Sequence, residues 1–86
     1  MFEVNAEKFE EGRAAYARGA SVKGLAEAVE RHHQAFERRE REMPPGERPD
    51  YHAEEVAGKS LILGFVDGLV SDIRKIVGGV RGGLRA

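Results

Sequence analysis

Three groups of residues in this chain have types and spacings that chemistry uses. Gly58-Lys59-Ser60 has the form of the end of a nucleotide-binding phosphate loop, in which backbone N–H groups cradle phosphates beside a lysine. That loop needs a glycine five residues before Gly58, where this chain has Ala53, and Glu54-Glu55 would repel a phosphate. His32, His33 and His52 are metal-ligand types, with Glu37 one turn beyond His33 and Glu55 three residues beyond His52. Adjacent histidines on a helix point about 100° apart, so His32 and His33 chelate a single ion poorly. The hydroxyls offer no nucleophile: Ser21 sits where a helix cap is needed, and Ser60 and Ser71 fall mid-helix. Arg81-Gly82-Gly83 is one copy of a triplet that binds RNA when it is repeated and mixed with aromatics, and here it stands alone. The expectation is a protein without catalytic, cofactor-binding or metal-binding residues.

The elements that would position these groups are helical, because the apolar spacing is 3–4 throughout and no segment alternates as a strand does. The predicted fold is all-α: a short first helix, then a long antiparallel helical hairpin. Asn5 caps a helix over about 5–18, which Gly19 ends. Ser21 caps a second over about 22–42, with Val22, Leu25, Val29, His32, Phe36 and Met43 forming one apolar stripe on a charged rod. This stripe predicts a packed His32, whereas His33 and His52 belong near the surface. Met43-Pro44-Pro45-Gly46-Glu47-Arg48-Pro49 holds all 3 prolines and breaks the chain between helices. Asp50 caps a third helix over about 51–77, expected to stop at Gly78-Gly79 and leave 78–86 as a flexible tail.

Composition limits the fold further. A chain of 86 residues makes a single domain, 1–77, whose core is thin. It has no cysteine, so no disulfide staples it, which agrees with a cytoplasmic setting. Small unstapled domains commonly rely on well-packed helices or on oligomerisation. The longest apolar stretch, Leu61 to Ile73, is interrupted by Asp67 and Asp72 and is shorter than the ~20 residues a bilayer span requires. All 15 acidic residues lie in 1–72 beside 10 Lys/Arg, a net −5, while 73–86 carries Arg74, Lys75, Arg81 and Arg85 with no acid. These four are the candidate contacts for an anionic partner; Arg74 and Lys75 also suit the negative end of the third helix.

The third helix is where a partner is expected. Ile62, Val66, Leu69, Ile73, Ile76 and Val80 recur at 4-3-4-3-4 spacing, a heptad seam, with Leu61 and Phe65 beside it. The polar stripe of this helix, Ser60, Asp67, Ser71 and Arg74, is narrow, and a helix apolar over most of its circumference is buried on more than one side. A compact chain of this length has a radius of gyration of about 12 Å, and a helix of ~27 residues measures ~40 Å, so it overhangs its own globule. Gly64 and Gly68 lie one turn apart inside it, each costing ~1 kcal/mol relative to alanine. That cost is tolerable where a second backbone comes close, either Gly12 and Ala15 of the first helix or a second copy. The predicted interface is Leu61, Ile62, Phe65, Val66, Leu69, Ile73 and Ile76 in an isologous homodimer.

Gly12, Ala15, Gly19 and Ser21 form a Gly-x2-Ala-x3-Gly-x-Ser spacing that resembles the first helix of ribosome modulation factor. Leu63-Gly64-Phe65-Val66-Asp67 is similar to that family's second helix, with Phe where the family has Trp. The likeness covers about 14 of 86 residues. The chain departs from the family in the long charged helix between the two segments, in lacking the Cys-Pro-Tyr turn, and in lacking a strong positive charge. The resemblance implies a ribosome- or nucleic-acid-associated factor, and no RNA-contacting residue carries over. The residues themselves favour a non-enzymatic interaction or regulatory protein that docks helices on itself and then on another protein. An inhibitor of viral or mobile-element type has this form, as does an assembly adaptor.

Overall fold

The computed structural model describes residues 3–85, and side chains as far as residue 79. It is all-α, with α1 at Ala6–Ala17, α2 at Val22–Glu42 and α3 at Tyr51–Arg85. Each helix begins at a side-chain cap that satisfies an N–H left free by the first turn. Asn5 Oδ1 accepts from the Lys8 N–H at 3.0 Å, Ser21 Oγ from Gly24 at 3.2 Å, and Asp50 Oδ1 from Ala53 at 2.9 Å. At the end of α1, Gly19 takes φ +83°, so that Ala20 N–H reaches the Ala15 carbonyl and Gly19 N–H that of Tyr16. This left-handed closure is the one that glycine permits most cheaply.

Helix α3 does not stop at Gly78-Gly79. It continues to Arg85, so the flexible tail expected over 78–86 is replaced by helix through residue 85. Each glycine inside a helix costs ~1 kcal/mol, but no proline follows to remove a hydrogen bond, and the ladder continues past both. The molecule is accordingly elongated, 68 × 28 × 14 Å with a radius of gyration of 17.3 Å.

Helices α1 and α3 run parallel in close contact: Asn5 meets Ser60, Phe9 meets Gly64 and Tyr16 meets Asp72. A Cβ added to Gly64 would fall onto the Phe9 carbonyl oxygen, and one added to Gly12 onto the Leu61 carbonyl oxygen. The backbones therefore touch at both places. At Gly68 the space of the missing Cβ holds the Tyr16 ring, with Cδ1 at 2.7 Å, and that ring stands edge-on to Phe65 at 5.4 Å and 89°. The close contact anticipated for Gly64 and Gly68 is thus made within the chain, against α1. The core consists of Ala15, Ala57, Leu61 and Phe65.

Helix α2 lies antiparallel to α3 and buries no residue fully. Phe36 packs edge-on to Tyr51 at 5.9 Å, and His32 Nε2 lies 3.0 Å from Glu54 Oε1, a pair whose side chains are only 11% and 15% exposed. His32 therefore packs against α3, as the stripe implied. Val22, at the head of the same stripe, is exposed.

Gly64→Ala should lower thermal stability by about 1–3 kcal/mol, because the added methyl forces two backbones apart. Gly58→Ala should instead raise it by about 0.4–1 kcal/mol, since nothing lies within 4 Å of its Cβ position. Circular dichroism melts of the two variants check both signs.

Candidate functional site: the outer face of the third helix

Around α3, at about 100° per residue, the residues that meet α1 and α2 gather on one side. Ala57, Ser60, Leu61, Gly64 and Phe65 are buried there. Nearly opposite, about 160° round the axis, lies a second apolar face. It comprises the seam residues Ile62, Val66, Leu69, Ile73 and Ile76, flanked on one side by Leu63, Val70 and Val77. All eight are 37–67% exposed. They form one stripe about 140° wide and ~22 Å long. Their exposed surface totals roughly 700 Å², above the few hundred Å² that a monomeric protein usually leaves in one apolar patch.

The predicted interface therefore divides. Ile62, Val66, Leu69, Ile73 and Ile76 are on the open face. Leu61 and Phe65, at 2% and 5% exposure, are not available to a second chain, and their assignment is corrected: they form the floor under α1. The glycine stripe explains why, since Gly64 and Gly68 draw α1 onto that side of the helix. Leu63, Val70 and Val77 were missed as face residues, although their own seven-residue recurrence carried the signal.

Charged groups border the face. Arg13 Nε lies 3.3 Å from Asp67 Oδ2 across α1 and α3. Tyr16 OH donates to Asp72 Oδ2 at 2.7 Å, and beyond this contact every residue from Asp72 to Gly79 is exposed. Arg74 is exposed beside the stripe and Lys75 is exposed on the α1 side of the helix, while the side chains of Arg81, Arg85 and the last seam residue, Val80, lie outside the described part. Acceptance by Asp72 of the Tyr16 hydroxyl proton, with burial and the negative charge adding to it, raises the Tyr16 pKa above the usual 10.

The histidines are distributed among separate pairs. His33 reaches Glu37 at 2.9 Å on α2, His52 reaches Glu3 at 2.8 Å, and Glu55 is taken by Lys59 at 2.8 Å. Among the described residues no group of three metal-ligating side chains converges. Lys59 and Ser60 also part company: Lys59 is exposed and paired with Glu55, whereas Ser60 is the one fully buried polar side chain among the described residues. Its hydroxyl accepts from the Asn5 N–H at 2.8 Å and donates to the Val56 carbonyl at 2.7 Å, fastening the start of α1 to α3. Sequence spacing had placed Ser60 on a polar stripe.

The chain matches no protein-family model, no curated protein and no solved structure. No helix among the described residues is long and apolar enough to cross a membrane.

Because the folded state raises the Tyr16 pKa, that contact stabilises fully below pH 10 and the contribution disappears as pH rises through the elevated value. Tyr16→Phe should flatten this part of the stability–pH curve in denaturant titrations between pH 9 and 12. The Tyr51 pKa is raised as well, by its hydrogen bond to Glu40, and its contribution should remain in that variant. Ser60→Ala leaves the part-buried Asn5 N–H without its acceptor and should cost about 1 kcal/mol in the same measurement.

Proposed function

We propose that this chain is a non-enzymatic helical interaction protein that self-associates through the outer face of α3 and acts by presenting docked helices to another protein. The observation that carries the reading is the open stripe from Ile62 to Val77, eight large aliphatic side chains on a helix whose opposite side is already occupied. A thin core gives a second reason. With four apolar side chains fully buried among the described residues, the monomer has a thin core, and covering the stripe would remove further apolar surface from water.

The proposed occupant is a second copy, in an isologous dimer. Roughly 700 Å² of exposed stripe per chain is the upper limit of what pairing covers, and with the polar rim added it is of the order of the ~800 Å² per partner of a stable interface. Regulation or inhibition of another protein, in a cytoplasmic setting, is part of this proposal and would use surfaces left free by the dimer, such as the charged outer side of α2. His32–Glu54, Arg13–Asp67 and Tyr16–Asp72 each join two helices, which accords with a structural role for these side chains.

The uneven charge supports a second reading, a nucleic-acid or ribosome-associated factor contacting phosphate through Arg74, Lys75, Arg81 and Arg85. It requires binding that falls steeply with salt and disappears on removal of 78–86. The net −5 over residues 1–72 opposes it.

Light scattering coupled to size-exclusion chromatography, from low to hundreds of micromolar, tests the primary reading. The expected result is a dimer for the native chain and a monomer of unchanged helicity for Leu69→Asp, which places a charge in the centre of the stripe. A native monomer throughout that range overturns self-association.

A further inference from the structure

We propose that the two α3 helices of the dimer run antiparallel, about a two-fold axis that passes level with Ser71, between Leu69 and Ile73. This rests on self-association through α3 and specifies its geometry. In that register Val66 of one copy packs with Ile76 of the second copy, and Leu69 with Ile73 of the second copy.

The first support is the asymmetry of the face. Only one flank of the seam is apolar, that of Leu63, Val70 and Val77; the opposite flank holds Phe65, already under α1, and Asp72, bound to Tyr16. A two-fold axis along the helices sets each flank against the other kind, so Val70 would lie beside the Asp72 carboxylate. A two-fold axis across the helices sets each flank against itself. Val70 then meets Val70 of the second copy, and Leu63 meets Val77 of the second copy, so the full width of the stripe is covered.

The second support is charge. Asp67 and Arg74 project just outside the apolar flank, both exposed. In the antiparallel register Asp67, which also meets Arg13 of its own α1 at 3.3 Å, lies within one residue's rise of Arg74 of the second copy, giving two equivalent rim contacts. In that register the basic stretch 73–86 of each chain runs along residues 56–69 of the other α3, which carry Lys59 and Asp67, so the two +4 segments are kept apart. A parallel pair would bring two +4 segments side by side, a like-charge juxtaposition that disfavours association.

The third support is shape. Helix α1 ends at Ala17, and α3 is backed by its own neighbours only as far as the Tyr16–Asp72 contact. Antiparallel pairing lays each unbacked segment, Ile73–Gly79, against the half of the other α3 that α1 supports. Parallel pairing would leave both unbacked ends together as a two-helix stalk.

The chain contains no cysteine, so introduced thiols report the geometry alone. Val66→Cys and Ile76→Cys are made separately, their mass is checked by light scattering under reduction, and the reduced proteins are oxidised singly and after co-refolding as a mixture. A disulfide forms only when Cα atoms lie within about 7 Å. In the proposed register, Val66 is a close neighbour of Ile76 of the second copy. Equivalent positions in the two copies are separated by ~15 Å along the axis. The expected result is a Val66→Cys/Ile76→Cys heterodisulfide, seen by intact mass, at least tenfold over either homodisulfide. Homodisulfides in the single-variant samples would show parallel helices, and a reduced dimer forming no disulfide in any sample would show a different register; both overturn this inference and leave self-association standing. A native chain that remains monomeric in the scattering experiment overturns both.

Discussion

The rest of the structure depends on the direct approach of two helix backbones, α1 at Gly12 and α3 at Gly64. Each glycine faces a carbonyl of the other helix with no room for a single carbon between them. Contact this close brings many atoms into dispersion range at once, which matters in a chain with few bulky core residues. It also sets the depth at which everything else sits. Only at that separation does the Tyr16 ring fill the notch of Gly68, meet the edge of Phe65 and bring its hydroxyl to Asp72. Ser60 completes the arrangement at the other end by accepting the Asn5 N–H.

That contact has a consequence for the opposite side of the same helix. Because the small residues of α3 draw α1 to one face, and α2 covers only the first turns, the large aliphatic residues from Ile62 to Val77 remain open. A helix backed on one side and bare on the other presents a pre-ordered surface, so little chain entropy remains to be lost when the bare side is covered. The glycines and the exposed aliphatics are in this sense two parts of one arrangement. The first makes α3 rigid without consuming its large side chains, and the second leaves those side chains for association.

Much of the architecture was legible because it depends on short-range chemistry. Asn5, Ser21 and Asp50 are side chains that reach back three residues to an N–H, and Gly19 supplies a positive φ where the chain must turn. Interactions of that range are encoded within one turn of sequence. The end of α3 was misplaced for a related reason: two glycines lower helix propensity without forbidding a helix, and propensity is a weak prior. Ser60 was assigned to a polar stripe because spacing alone does not distinguish a hydroxyl facing water from one facing a backbone N–H fifty-five residues away. Of the residues in the likeness to ribosome modulation factor, Gly12, Ala15, Gly64 and Phe65 are buried between α1 and α3, whereas Gly19, Ser21, Leu63, Val66 and Asp67 are exposed.

The sequence by itself determined that this chain is three helices, where they begin, and that α3 has more apolar circumference than a single neighbour can cover. Those properties follow from local hydrogen bonding and from the 3.6-residue period, both readable along one strand of text. Which side of α3 would be covered was left open, since Leu61 and Ile62, or Phe65 and Val66, are adjacent residues of equal apolarity. Only the tertiary structure decided between them. The physical reason is steric: α1 can approach along the line of Ser60, Gly64 and Gly68, where side chains are smallest, so Leu61 and Phe65 go inward and Ile62, Val66 and Leu69 are left outside.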